Sequence, residues 1–139
     1  NYGLILKDLG KLQEAEIYYR KAIEIKPDFV DSHLNLAGIL KNLGKLKEAE
    51  ISLHKAIKIK PDLASAHYNL GNIFGETGNL QEAESSTRKA IELNPNYAKA
   101  YSQLGQILLK KGKHIEGIKM LKEGTGFISF CLTNGLSIN

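Results

Sequence analysis

Four kinds of side chain in this sequence could do chemistry, and spacing decides what each can do. The histidines are His33, His54, His67 and His114. His33 and His67 lie thirty-four residues apart. His54 and His114 have no cysteine or carboxylate partner at metal-ligand spacing. The single cysteine, Cys131, has no identifiable base that would make it a nucleophile. Glu-Ala-Glu occurs at 14–16, 48–50 and 82–84, and reads as solvated helix surface instead of a paired acid and base. The glycines stand singly, with no phosphate-cradling loop after a strand. These residues predict no catalytic site, no metal site and no cofactor.

The fourth kind is the carboxamide. Asn1, Asn35, Asn69 and Gln103 occupy one register at thirty-four-residue intervals. Asn35 sits in SHLNLAGIL (32–40), a run otherwise apolar or small. A primary amide carries both a donor and an acceptor, so it can pair with a peptide backbone without reading its side chains. It can equally bond to a neighbouring helix or to the preceding turn of its own. Both uses stand open at this point.

Composition narrows the classes. The chain has 139 residues, 42% hydrophobic and 24% charged, which suits a folded domain or short repeat array. No apolar stretch approaches the roughly eighteen residues of a membrane span, so no membrane partner is expected. The formal charge is +4 and the pI about 9.1, but the lysines are scattered among glutamates. That pattern argues against a nucleic-acid partner. One cysteine allows no intramolecular disulfide and points to a reducing, cytoplasmic setting. No signal peptide is read. The chain starts at Asn1 without methionine, so an upstream segment is not excluded.

The thirty-four-residue interval is a property of the whole chain. LKDLGKLQEAEIYYRKAIEIKPDF (6–29), LKNLGKLKEAEISLHKAIKIKPDL (40–63) and FGETGNLQEAESSTRKAIELNPNY (74–97) align without a gap. LLKKGKHIEGIKMLKEGTGF (108–127) keeps the register and loses several shared residues. Each copy reads as two helices. Leu36, Ile39, Leu40 and Leu43 recur at helical spacing, then Ile51, Leu53, Ile57 and Ile59. Gly10, Gly44, Gly78 and Gly112 fall between the helices, where a left-handed residue ends the first. Pro27, Pro61 and Pro95 close the second helix. Asp28, Asp62 and Asn96 are expected to cap the next one through their side-chain oxygens. Gly3, Ala37, Gly71 and Gly105, with Ala15, Ala49 and Ala83, mark close helix crossings. A single helix pair has too little apolar area to be stable, so stacked pairs form the folding unit.

Period, helix–turn–helix content and the Leu/Tyr-Gly/Ala…Gly…Ala…Ala…Pro pattern resemble the tetratricopeptide repeat over residues 1–124. The segments PDxxxSHLNLAGIL and AHYNLGNI look most like the arrays of O-linked N-acetylglucosamine transferases and related bacterial proteins. The resemblance implies an all-α, right-handed α-solenoid of stacked antiparallel helix pairs. Its repeats are a partial one over 1–29, then 30–63, 64–97 and a degenerate 98–124. The pentatricopeptide repeat, which reads single-stranded RNA, fits the Gly-Ala-Ala-Pro spacing less well. At the positions of His33 and His67 the family has a large residue in the helix interface, so packing is expected of both.

The resemblance also implies that the first helix of each pair lines a concave groove for an extended protein segment. Helical geometry, taken opposite Leu36 and Leu40, then selects Leu34, Asn35, Lys41 and Asn42. It selects Tyr68, Asn69 and Asn72 one repeat on, then Lys99, Gln103 and Gln106, with Asn1 from the partial repeat. Asn1, Asn35, Asn69 and Gln103 would form a ladder gripping a peptide backbone, as the similar transferase arrays do. A clamp for chaperone C-termini is not expected, because only Asn69 and Lys99 agree with that pattern among Leu34, Gly38, Asn69, Lys99 and Gln103. The expected function is a protein-interaction scaffold. The alternative is a substrate-recruiting array of a larger glycosyltransferase-type enzyme, and RNA binding ranks below both.

Residues 125–139 read as a tail or cap. Phe127, Ile128, Phe130, Leu132, Leu136 and Ile138 need cover, and Asn134-Gly135 is a hairpin signal. Exposed array ends, or this tail, would also serve self-association.

Overall fold

The computed structural model describes residues 10–126. Among them all regular structure is α-helical. The helices are α1 (Leu12–Ile25), α2 (Val30–Asn42), α3 (Leu46–Ile59), α4 (Ala64–Glu76), α5 (Leu80–Leu93), α6 (Ala98–Lys110) and α7 (His114–Gly124). The chain divides within α4 into two compact units, one up to Asn69 and one from Leu70 onward. Asn1, Cys131 and the Asn134-Gly135 pair lie outside the described residues.

The turns follow from backbone chemistry. Gly44, Gly78 and Gly112 have φ of 78°, 83° and 79°, a region that costs any residue with a Cβ. After Gly44, Lys45 N–H donates to Leu40 O at 2.8 Å, while Gly44 N–H donates to Lys41 O at 3.0 Å. This pair of bonds is the Schellman motif, and it satisfies carbonyls the helix end leaves bare. Asn79 with Phe74, and Lys113 with Leu108, repeat it at 2.9 Å each. The second helix of each pair stops two residues before its proline, at Ile25, Ile59 and Leu93.

The expected caps are not formed by Asp28 or Asn96. The cap positions of α2 and α6 are Phe29 and Tyr97, and neither helix has a side-chain cap bond. Each polar residue sits one position too early, inside the turn. There Asn96 N–H donates to Asn94 Oδ1 at 3.2 Å.

The core of the first unit is Ala15, Tyr19, Leu36, Ala37, Ile39, Leu40, Ala49, Leu53 and Ala56; that of the second includes Leu70, Ile73, Ala83, Ala90, Leu104 and Leu108. The small residues do what their size permits. A Cβ on Gly105 would stand 2.8 Å from Gly117 O, and one on Gly117 would stand 2.9 Å from Gly105 O. The backbones of α6 and α7 therefore cross in direct contact.

His33 and His67 hold the connection between pairs. The Nε2 of His33 lies 2.7 Å from Pro27 O, and that of His67 lies 3.2 Å from Pro61 O. A carbonyl only accepts, so each imidazole donates its N–H. Both roles are structural. Among the described residues no cluster of His, Cys, Asp or Glu could hold a metal ion, and no helix is long and apolar enough to cross a membrane.

Two glycine substitutions separate conformational strain from crowding. In Gly44→Ala the new Cβ meets nothing within 4 Å, so the cost is backbone strain alone. That should be about 1 kcal/mol. Gly105→Ala drives a methyl into the Gly117 carbonyl and the Leu121 side chain. It should cost about 2–3 kcal/mol. Urea denaturation of both variants gives the ranking.

Candidate functional site

The predicted ligand face maps onto helices α2, α4 and α6. Leu34, Asn35, Lys41, Tyr68, Asn69 and Asn72 are half-buried, and Asn42, Lys99 and Gln106 are exposed. Gln103 differs: it is 9% exposed.

In the second unit several of these residues share a shallow groove of about 180 Å³ between α4 and α6. Gly71, Asn72, Gly75 and Glu76 line one side; Gln103, Gln106, Ile107 and Lys110 line the other. Gly71 and Gly75 keep the α4 wall low, so amides and an opposite pair of charges dominate the surface.

Gln103 belongs to a buried hydrogen-bond chain. Its Nε2 donates to Asn72 Oδ1 at 2.7 Å. Its Oε1 lies 3.0 Å from Thr87 Oγ1, which also lies 2.7 Å from Ala83 O. A threonine hydroxyl has one proton and cannot donate to both oxygens. With the proton on the Ala83 bond, the Gln103 amide turned end for end donates to Thr87, and the Asn72 amide turned likewise donates to Gln103. Which amide atom faces Thr87 is fixed by this proton count and not by atom positions. Gln103 thus joins α4, α5 and α6.

Asn35 and Asn69 take the other path. Among the described residues neither side chain has a hydrogen-bond partner, and both are half-buried. The same register therefore holds one amide consumed inside the protein and two that are not.

The Glu-Ala-Glu repeat needs correction. Glu14, Glu48 and Glu82 are exposed as expected, but Glu16 and Glu84 are buried. Glu16 accepts from Lys45 Nζ at 2.9 Å and from Arg20 Nε at 2.9 Å, and Arg20 reaches on to Glu48. Glu84 pairs with Arg88 at 2.8 Å and also with Lys111, and Arg88 pairs with Glu116 at 2.5 Å. Each unit thus holds a clasp in which one buried carboxylate meets a cation of its own helix and one from the following repeat. The Lys45 hydrogen bond, aided by Arg20, holds the Glu16 carboxyl below its ordinary range against the opposing effect of burial. At Glu84 burial is the largest single influence and works against ionisation. The bonds from Lys111 and Arg88 outweigh it, so its pKa is also lowered.

Comparison with known proteins agrees with the repeat geometry. Models described as tetratricopeptide repeat match residues 64–97, 1–29, and 18–51 with 87–119, and one described as TPR repeat matches 38–78. Together they cover residues 1–119 without a break. The chain belongs to the tetratricopeptide-repeat family.

Several solved structures of similar fold are named MamA. "Crystal structure of MamA" has a TM-score of 0.82 and 29% identity, over 92% of this chain and 74% of that one. "Crystal structure of MamA protein" has a TM-score of 0.84 at 21% identity, over 99% and 75%. "MamA 41-end from Desulfovibrio magneticus RS-1" has a TM-score of 0.81 at 23% identity, over 88% and 70%. No curated protein matches the chain. These likenesses establish an all-α helical-repeat fold, with the site left to be argued from the residues.

Thr87 was not among the residues picked from the sequence. Its signal is there: the equivalent positions are Tyr19, Leu53 and Leu121, so a threonine in that column is a polar group in a buried place. Thr87→Val should cost about 1–2 kcal/mol, because it strands a buried amide. Thr87→Leu combined with Gln103→Leu should recover much of that loss in urea denaturation, since both polar partners are then gone.

The clasps give a pH dependence. A carboxyl whose pKa is lower in the folded than in the unfolded chain stabilises fully above the ordinary carboxylate range. That contribution is lost as pH falls through the depressed folded value. Glu16→Gln and Glu84→Gln should each lower stability at pH 7. The gap from the parent protein should close as pH drops below about 3.

Proposed function

We propose that this protein is a scaffold that binds an extended segment of a partner through the first helices of its helix pairs. The observation that carries this reading is the state of Asn35 and Asn69. Each lies half-buried among apolar neighbours with no partner of its own among the described residues. Neither amide is sealed from solvent, so each is open to a ligand. A peptide backbone offers a donor and an acceptor at every residue, which is what a carboxamide can match. Leu34 and Tyr68 stand beside them for apolar contacts. The second unit has a groove of its own between α4 and α6, with Asn72 and Gln106 flanked by Glu76 and Lys110. Gln103 contributes by fixing Asn72 in place.

No chemistry follows from this surface; it binds and holds. A scaffold of this kind serves equally as the recruiting array of a larger enzyme. The likeness of its asparagine positions to transferase arrays makes a glycosyltransferase the form such an enzyme would take, and the full reading frame answers that.

Peptides selected from a displayed random library on the intact chain provide the test. Asn35→Ala with Asn69→Ala should weaken their binding about tenfold through the lost amide bonds, with helicity by circular dichroism unchanged. Unchanged affinity, or loss of folding with no separable binding defect, would sink this reading.

A further inference from the structure

The opposite side of the first unit carries a second groove, about 380 Å³, between α1 and α3 with α2 beneath it. It is larger than the groove described above and differently made. Ile23, Leu36 and Ile51 give it an apolar lining. Ile51 remains 47% exposed and gives the groove an open apolar patch.

Charge decides what fits the patch. The two walls are opposite in sign: Glu24 lines the α1 side and Lys55 the α3 side. Both are exposed, and among the described residues neither has an ion pair or hydrogen bond. Arg20 and Glu48, which also border the groove, are paired with each other and make no demand on a ligand. A trough that sets Ile23, Leu36 and Ile51 between one acidic and one basic wall matches an amphipathic helix whose apolar ridge is flanked by acids on one side and bases on the other. We infer that the α1–α3 groove of the first unit docks such a helix from a partner protein, ridge inward, with its acids toward Lys55 and its bases toward Glu24. Helix-in-groove recognition uses apolar anchors for affinity and flanking charges for selection. The surface is separate from the one that faces the peptide under the proposed function, so one scaffold holds two partners at once.

The test uses three labelled helical peptides of about eighteen residues, each with the same leucine ridge. One is flanked by glutamate on one side and lysine on the other, one by glutamate on both, one by lysine on both. The intact chain should prefer the mixed peptide. Lys55→Glu makes both walls acidic and should shift preference roughly tenfold toward the all-lysine peptide. Glu24→Lys should shift it as far toward the all-glutamate peptide. Both positions are exposed, so circular dichroism should show intact helices in each variant. Asn35→Ala with Asn69→Ala should leave these affinities untouched, which separates failure here from failure of the peptide-binding reading. Peptide preference that ignores both substitutions, amide shifts confined to α2 and α4, or a groove occupied by a second copy in sedimentation would each overturn the inference.

Discussion

The crossing of two helix backbones at small residues is the constraint on which the rest depends. Gly105 and Gly117 stand so close that neither tolerates a methyl group, and each would strike the other's carbonyl. Gly71 makes a similar approach to Thr87 and Gln103. Close crossing lets side chains as large as Leu104 and Leu108 bury fully although each helix is only three or four turns long. Loosening the crossing would separate the backbones and leave voids beside those leucines, and voids in a close-packed interior are costly. A pair so short has no reserve of apolar area to absorb them.

Close crossing also forces polar atoms into dry places, and the repeat answers with partners drawn from the next repeat. Glu16 is buried because Lys45 reaches it from the start of α3, and Glu84 because Lys111 reaches it from beyond α6. A buried carboxylate is acceptable only when paired. The clasp is thus a condition of close stacking more than a source of stability, since its cations are partly exposed and screened. Gln103 follows the same rule. Where the second repeat has Leu53, the third has Thr87, and its hydroxyl needs company in a fully buried spot. Glutamine, one methylene longer than the asparagine at the same register, supplies it.

What could be read from the sequence divides along this line. Helix ends and turns were legible because glycine and proline act on their own backbone, and Gly44 and Pro27 need no distant partner to do so. Periodicity found the core positions Leu36, Ile39, Leu40 and Leu53, but Ile51 and Ile59 fit the same apolar stretch and stay exposed. The fates of Glu16 and Gln103 were not, because they depend on residues about thirty positions away in sequence, and a local pattern such as Glu-Ala-Glu looks symmetrical until its neighbours are placed. The caps failed for a smaller reason. Asp28 and Asn96 have the right chemistry one residue too early, and capping is a matter of single-residue register. The carboxamide ladder was legible as a column and illegible as a function, since one register contains both committed and uncommitted amides.

Commitment of polar groups is therefore what separates scaffold from surface here. Arg20, Lys45, Arg88 and Lys111 are taken up by the clasps, and Gln103 by its hydrogen-bond chain. What the fold leaves over includes Asn35 and Asn69 on one side, and Glu24 and Lys55 on the other. Repetition makes this possible. Once a thirty-four-residue unit stacks correctly, the same stacking holds for every copy, so a side chain not needed for stacking is free to diverge toward a partner. The middle column of the chain shows the divergence in progress. Where Arg20 and Arg88 stand in their repeats the second repeat has His54, only 3.6 Å from Glu50, and where Lys45 and Lys113 stand the third has Asn79. The thirty-four-residue frame persists through those changes because its glycines and small crossings are retained while its charges are not. Backbone constraints carry the architecture, and side-chain charges are the part left open to change.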